Sequence, residues 1–319
     1  MPIKGFTAAK IIALTAAALF AAPALAQDKL KIAAGQRGNW DTSISEIGQR
    51  AGIFKKYNLD LEILYTQGGG ETQQAVISGA VDIGIGAGTV GAMSVFSKGA
   101  PVRIISAETT GAGDLYWYVK SDSPIQKLSD TAGKTIAFST KGSSTDGVVT
   151  AFIREQKLTA KPVGTGSPPS TLTQVMSGQV DVGWSAPPFG LEQLDKKEIR
   201  IVATGNDTIF KGQTVRVNIA NSDAMKSKKA LIDRYMKAYR ETVDFMYADD
   251  KALEIHSSWI GIPIDLSRRT RDIFFPKSAI DPDKIVGLDL VMPDAVAMKF
   301  ITAPLSQAQI EDLVQIPPR

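Results

Sequence analysis

The chain has 319 residues, no cysteine, one histidine and a formal net charge of +3. Without cysteine it can form no disulfide or thiolate centre, and with His256 alone a histidine-based metal site is nearly excluded. The near-balanced charge gives no reason to expect a nucleic acid partner, so we expect neither a cofactor nor a polyanion.

The first 26 residues have the pattern of a secretory signal peptide. Lys4 and Lys10 precede an apolar run at 11–22, and the segment ends in Ala24-Leu25-Ala26, a small-residue cleavage site. The apolar run is too short for a spanning helix, which needs about 20 residues. Since no cysteine is present to carry a lipid, the processed chain is predicted to be a free periplasmic protein.

Strand and helix patterns alternate along the first third of the chain. The predicted elements, in chain order, are a strand at 30–34, a helix at 43–57, a strand at 59–65, a helix at about 71–78, a strand at 81–85 and a helix at about 89–97. Such alternation is typical of a mostly parallel sheet with right-handed crossovers.

An internal repeat is the most informative feature of the sequence. Residues 77–85 match residues 176–184 at a constant offset of 99, and both copies contain Ser-Gly-x-Val-Asp. A period of this size suits two lobes rather than a solenoid. The aspartates of the two copies, Asp82 and Asp181, are predicted to bind backbone N–H groups where a strand begins, and not to form a catalytic pair.

The chain is predicted to pass twice between the lobes, near 111–119 and near 215–219. From about residue 223 helix formers dominate, and these helices are expected to pack on the first lobe. The prediction is therefore a lobe of residues 27–114 plus 221–319 and a second lobe of residues 115–220 that includes the hinge strands.

Several short motifs recur in a known order and spacing. They are Ala51 to Leu59, the repeated Ser-Gly-x-Val-Asp, Ser123-Pro124-Ile125, Leu128, Gly133 to Ala137, Lys141 to Ser144 and Trp184-x-x-Pro187. Together they resemble the periplasmic substrate-binding proteins of ABC importers for sulfonates, taurine and nitrate. The resemblance implies an α/β, two-lobed type II periplasmic binding protein, with a mostly parallel sheet in each lobe and two hinge crossings. It also implies a small-molecule ligand and a membrane permease as partners, and no catalysis.

Eukaryotic enzymes that make the thiamine pyrimidine are similar to the same family. Those enzymes depend on a reactive histidine together with cysteines, which this chain lacks. An enzyme of that kind is disfavoured, whereas a transport protein for a related pyrimidine remains an alternative. His256 lies in a predicted helix and is interpreted as a packing or helix-surface residue.

Ligands of open α/β sheets bind beyond the carboxyl ends of strands, beside helix N-termini. Four loops are expected at this position, and one residue of the second crossing strand is a weaker candidate. The candidate ligand-binding residues are Arg37, Gly38, Asn39, Trp40, Gly88, Thr89, Thr140, Gly142, Ser143, Ser144, Trp184, Pro187 and Arg216.

Each candidate has a functional and a structural interpretation. Arg37 could bind a carboxylate or sulfonate with its forked donors, or be a solvated loop charge. Trp40 and Trp184 could contact the apolar part of a ligand, or be buried packing residues. Ser143 and Ser144 could bind anionic oxygens or cap a helix. Residues 86–89 lack the following G-K-[ST] of a nucleotide-binding loop.

The sequence thus predicts a monomeric periplasmic solute-binding protein whose lobes close on a ligand. The expected ligand is a small organic anion, such as a sulfonate, a taurine-like compound or an aromatic carboxylate, or else nitrate. The alternatives are a neutral heterocycle such as a thiamine pyrimidine precursor, and an exported enzyme on the same fold.

Overall fold

The structure is a computed structural model, and it describes residues 1–2 and 27–319. The predicted signal peptide falls almost wholly on residues 3–26, outside the described residues. Within the described part of the chain, no helix combines the length and the apolar character that a membrane crossing requires.

Strands and helices alternate through the first two thirds of the chain. The strands are β1 (Asp28–Gly35), β2 (Leu59–Thr66), β3 (Ile83–Gly88), β4 (Val102–Thr110), β5 (Tyr116–Lys120), β6 (Thr135–Phe138), β7 (Lys161–Gly164), β8 (Gly183–Ser185), β9 (Ile199–Thr204) and β10 (Thr214–Asn221). The helices are α1 (Ile44–Arg50), α2 (Ile53–Lys56), α3 (Gly69–Ile77), α4 (Thr89–Ser97), α5 (Ser144–Glu155), α6 (Pro168–Met176), α7 (Leu191–Asp195), α8 (Ser222–Ser227), α9 (Lys229–Ala248), α10 (Lys251–Ile260), α11 (Ile264–Arg269), α12 (Leu288–Ala297) and α13 (Gln307–Leu313).

Lobe one is built on a five-stranded sheet with the order β2-β1-β3-β10-β4. β1 pairs in parallel with β2 and β3, whereas β10 runs antiparallel to both of its neighbours. Side chains of β1 alternate between two cores: Leu30 and Ile32 pack with α1 and α9, and Ala33 faces the opposite core. This period of two buries both faces of the strand, as expected for a sheet covered by helices on each side.

Lobe two contains β5 to β9. The order β8-β5-β9 is antiparallel throughout, and β6 pairs in parallel with β7. A bridge between Ile136 and Val182 joins the two groups of strands. The two-lobed α/β class is confirmed, although lobe two has fewer parallel pairs than the alternation of elements predicts.

Equivalent hydrogen bonds recur in the two copies of the repeat, with the aspartates and the hydroxyl pairs 99 residues apart and the backbone donors to the aspartates 104 residues apart. Asp82 Oδ2 accepts from Lys31 N at 3.1 Å, and Asp181 Oδ2 accepts from Thr135 N at 2.9 Å. Hydroxyl pairs also recur, Thr66 with Thr72 and Thr165 with Thr171. The duplication and the structural role of both aspartates are therefore confirmed.

Two element boundaries differ from the sequence prediction. The single helix expected at 43–57 is divided into α1 and α2 at Gly52, whose φ of 77° is a left-handed conformation that glycine adopts readily. The predicted loop at 86–88 is the end of β3, because Ala87 and Gly88 pair with β10. The predicted helical packing on lobe one is confirmed, since Tyr235 and Ala238 of α9 are buried in its core.

Candidate functional site

A small cavity lies at the junction of the two lobes. Its volume is about 10 Å³, roughly the room of one water molecule. The lining residues are Gln36, Asn39, Asp41, Thr42, Gly69, Gly86, Leu115, Ser139, Ser143, Ser144, Thr145, Trp184 and Arg216. Residues that follow β1 thus face the start of α5 and a strand of lobe two, so a molecule placed here would contact both lobes.

Arg216 on β10 is the centre of a buried charge cluster. Its Nε lies 2.7 Å from Asp41 Oδ2, and its Nη2 donates to Asp114 Oδ2 at 2.7 Å. Glu108 Oε1 is 3.8 Å from the same Nε, while its second oxygen accepts from Gly86 N at 2.7 Å. All four side chains are at most 5% exposed. Three carboxyl groups therefore surround one guanidinium.

Burial shifts the ionisation of this cluster. It raises the pKa of Glu108 well above the usual range, and the neighbouring Asp41 adds to that effect while Arg216 opposes it. Burial likewise raises the pKa of Asp114 to about 6, against the pull of Arg216. For Arg216, burial disfavours the charge, but the carboxylates of Asp114 and Asp41 outweigh it and raise the pKa.

Four side chains that line the cavity hold buried polar atoms without a hydrogen-bond partner in residues 27–319. They are the acceptors Asn39 Oδ1 and Asp41 Oδ1 and the donors Trp184 Nε1 and Arg216 Nε, although Arg216 Nε lies within ion-pair distance of Asp41, 2.7 Å from its Oδ2. Each residue is at most 5% exposed. A buried polar group without a partner costs about 1–3 kcal/mol, so these atoms mark where a bound molecule would be stabilised.

The family model described as NMT1/THI5 like matches residues 44–252, well over half of the chain. The chain belongs to the NMT1/THI5-like family. A search of curated proteins found no match.

Solved structures share the fold of this family member over most of its length. The alkanesulfonate-binding protein SsuA of Xanthomonas axonopodis pv. citri, bound to MOPS, is 16% identical, with 90% of this chain and 98% of that chain covered and a TM-score of 0.74. The aliphatic sulphonate binding protein SsuA of Escherichia coli is 18% identical, with 91% and 93% covered and a TM-score of 0.69. The nitrate-binding protein NrtA of Synechocystis PCC 6803 is 13% identical, with 91% and 86% covered and a TM-score of 0.70.

Five of the sequence-predicted site residues line the cavity. They are Asn39, Ser143, Ser144, Trp184 and Arg216. Ser143 also caps α5, since its Oγ accepts from Asp146 N at 3.2 Å, so its structural interpretation is confirmed as well.

Arg37, Gly38 and Trp40 lie away from the cavity. Arg37 Nη2 donates to Trp259 O at 3.1 Å, and the guanidinium sits 5.2 Å from the centre of that indole ring. Trp40 is fully buried and packs edge-on against His256 with ring centres 5.0 Å apart. Gly38 O lies 3.1 Å from His256 Nε2. This region is therefore packed structure beside the cleft, which also confirms His256 as a packing residue.

The remaining candidates contact neighbouring segments near the junction. Thr89 Oγ1 donates to Thr214 O at 2.7 Å. Across the junction, Thr140 Oγ1 accepts from Gly70 N at 3.0 Å, and Gly142 O accepts from Gln73 Nε2 at 2.9 Å. A Cβ on Gly88 would lie 2.6 Å from Ser144 N, so this glycine allows close approach of the lobes. Pro187 precedes a cis peptide bond with Pro188 and lines no part of this cavity.

A larger open groove, here called the outer groove, also lies between the lobes. Its volume is about 780 Å³, and it is lined by residues of α3 and α4, by residues 139–142 and 164–166, and by residues 298–300. Thr140 and Gly142 belong to its wall, and Ser139 lines both spaces.

Sequence reasoning missed the three carboxyl groups around Arg216. Asp41 directly follows the predicted loop 36–40, and Glu108 follows the largely apolar run Ile104-Ile105-Ser106-Ala107, so both left a signal in the sequence. Asp114 follows Gly111-Ala112-Gly113 and reads as an ordinary turn residue. Within the described residues, no group of three or more His, Asp or Glu side chains is placed to hold a metal ion.

Proposed function

We propose that the chain is the solute-binding component of an ABC importer, and that it captures a small molecule between its lobes. The observation that carries this proposal is the junction cavity, where unpaired buried atoms of Asn39 and Asp41 from lobe one face Trp184 Nε1 from lobe two. Family membership and the fold shared with periplasmic binding proteins support it. A periplasmic location, a monomeric state and a membrane permease as partner belong to the same proposal.

Binding requires the lobes to move. A cavity of about 10 Å³ has no room for an organic solute, so the solute enters an open form. Two segments, 111–115 and 205–213, connect the sheets, and Gly111 N donates to Gln213 O at 2.8 Å between them. We place the hinge there, with lobe boundaries near 114 and 213, so that β10, which the sequence prediction assigned to lobe two at 115–220, belongs to the sheet of lobe one. Contacts made by both lobes exist only after closure, so the solute shifts the equilibrium towards the closed form.

The sequence suggested an organic anion or nitrate, and sulfonate- and nitrate-binding proteins share the fold. In this cleft an anion would rely mainly on the hydroxyl and backbone N–H groups of residues 139–145, because Arg37 lies outside it and two of the three guanidinium nitrogens of Arg216 already lie against carboxylates. A neutral heterocycle with donor and acceptor atoms suits the unpaired Asn39 Oδ1 and Trp184 Nε1.

Native mass spectrometry of the exported protein tests the proposal. We expect one small molecule per chain, and we expect Trp184→Phe to weaken its binding by about 5- to 150-fold, the effect of losing one buried hydrogen bond worth about 1–3 kcal/mol. Trp259→Phe is the matched control, since Trp259 lies outside the cavity.

Equal binding of the solute by the Trp184→Phe variant and the unaltered protein would show that the solute does not bind in this cavity. Chemical analysis of the released solute tests the alternative of an exported enzyme. A binding protein returns its solute unchanged, whereas a solute that is converted during incubation would favour the enzyme.

A further inference from the structure

We infer that the solute presents a positively charged nitrogen group to the Asn39–Asp41 side of the cavity. This inference rests on the proposed function and specifies the chemistry of its substrate. It follows from the balance of charges and of hydrogen-bonding atoms in the closed cleft.

Carboxyl groups outnumber cationic groups at this junction. Arg216 and Asp41 are the ionisable residues among those that line the cavity. Behind them, Glu108 and Asp114 bring two further carboxyl groups to within 3.8 Å and 2.7 Å of the guanidinium. The nearest basic side chain on the neighbouring loop, Lys141, is 80% exposed and pairs with Asp146. The cleft therefore has an excess of acidic groups.

Two of the three guanidinium nitrogens of Arg216 already lie against carboxylates. Its Nε and Nη2 are each 2.7 Å from a carboxylate oxygen, one from Asp41 and one from Asp114. A solute anion that bound to either nitrogen would have to displace a carboxylate, and the displaced group would stay buried without its counter-charge. Burying an unpaired charge is among the most costly changes in a protein interior.

The unpaired atoms are mainly acceptors. Asn39 Oδ1, Asp41 Oδ1 and Glu108 Oε1 have no hydrogen-bond partner in the described residues. The unpaired donors on residues that line the cavity are Trp184 Nε1 and Arg216 Nε, and Arg216 Nε already lies 2.7 Å from Asp41 Oδ2. A solute that satisfies them needs several N–H donors directed at lobe one and one acceptor directed at Trp184. A protonated amine supplies three donors and the positive charge that offsets the acidic excess.

The raised pKa values of Glu108 and Asp114 agree with this geometry. Burial and neighbouring carboxylates disfavour their charged forms in the protein alone. A bound cation would favour the charged forms again, as any opposite charge within about 4–6 Å does.

A matched panel of probes tests the inference by thermal shift. The panel contains propylammonium, propanesulfonate and propanol, their 2-phenylethyl counterparts, and nitrate, each at the same concentration and ionic strength. We expect the ammonium compounds to raise the melting temperature and the sulfonates and alcohols of equal size to leave it unchanged. We also expect Asp41→Asn to weaken binding of the ammonium compounds at least tenfold, and Asp122→Asn, an exposed change in lobe two, to leave it unchanged.

The outcomes separate this inference from the proposed function. Stabilisation by sulfonates or nitrate, without stabilisation by ammonium compounds, would overturn the cationic assignment while leaving solute binding intact. No response to any probe, together with no solute in native mass spectra, would count against both. The panel on the unaltered protein decides the question even if Asp41→Asn fails to fold.

Discussion

Gly91 on α4 packs against lobe two so closely that it has no room for a side chain. A Cβ at this position would lie well inside 3.0 Å of Gly142 O, and real Cβ contacts essentially never fall below 3.0 Å. Gly91→Ala would therefore hold the lobes apart by roughly 1 Å or force an equivalent strain, at a cost of about 1–3 kcal/mol. Solute binding, which requires closure, should weaken by about 5- to 150-fold.

The same substitution has the opposite effect on lobe one alone. Gly91 lies within a helix, where alanine is favoured over glycine by up to about 1 kcal/mol. In the open form no atom of lobe two approaches the new methyl group. Within lobe one the methyl group would lie 2.8 Å from Gln73 Nε2, the end of a flexible side chain that can move once its hydrogen bond to Gly142 O is broken. We therefore expect lobe one to be as stable as before, or slightly more stable, so that weaker binding cannot be explained by unfolding.

The chain has no cysteine, so paired spin labels can be attached without a background. Leu64 at the exposed end of β2 and Thr173 on α6 are suitable, because a hydrogen bond from Ser167 N to Gln67 Oε1 joins these two regions across the junction. Double electron–electron resonance should show a longer distance between Leu64→Cys and Thr173→Cys when Gly91→Ala is added. Ser97→Ala, an exposed change on the same helix, is the control. An unchanged closed distance in Gly91→Ala would refute the reasoning.

Two further predictions concern stability and closure. Burial lowers the pKa of His256 to about 4 from 6.5. As the pH falls, the unfolded chain therefore takes up a proton on this histidine before the folded chain does. The contribution of neutral His256 to the free energy of unfolding is complete above pH 6.5 and is lost as the pH falls towards 4. The loss is about 2 kcal/mol between pH 7 and pH 4.5 and reaches about 3 kcal/mol only below pH 4. It is measured by urea unfolding of the protein and of His256→Gln at pH 7 and pH 4.5; a parallel pH dependence of the two would contradict it. Arg269 on α11 binds both oxygens of Asp195 on α7 at 2.9 and 2.7 Å across the lobes. Because both side chains are exposed, Asp195→Asn should change the free energy of the open–closed equilibrium by less than about 1 kcal/mol. The spin-label distances at physiological salt report this equilibrium. A larger change would show that the Arg269–Asp195 pair is a main stabiliser of the closed form.

The features predicted correctly from the sequence depend on short stretches of chain. The alternation of elements, the repeat at offset 99 and the matching roles of Asp82 and Asp181 each follow from residues that are close together or duplicated. The side chains of α9 that face the core follow from helical spacing alone.

The features that sequence reasoning missed depend on contacts between distant segments. The antiparallel pairing of β5 with β8 and β9 joins strands far apart in the chain, and no local pattern encodes it. The cluster around Arg216 brings together four segments of the chain. Which ligand charge the cluster favours can be inferred only when the positions of all four are known. Arg37 was assigned to the cleft from its loop position, but the direction of a long side chain depends on a partner, here Trp259, more than 200 residues away.

The position of the solute is the central claim, and a crystal structure of the protein with the probe that stabilises it most tests that claim directly. The account predicts density in the cavity, with a nitrogen group within hydrogen-bonding distance of Asp41 and an acceptor atom at Trp184 Nε1. Density confined to one lobe, or lying in the outer groove with the cavity unchanged, would contradict it.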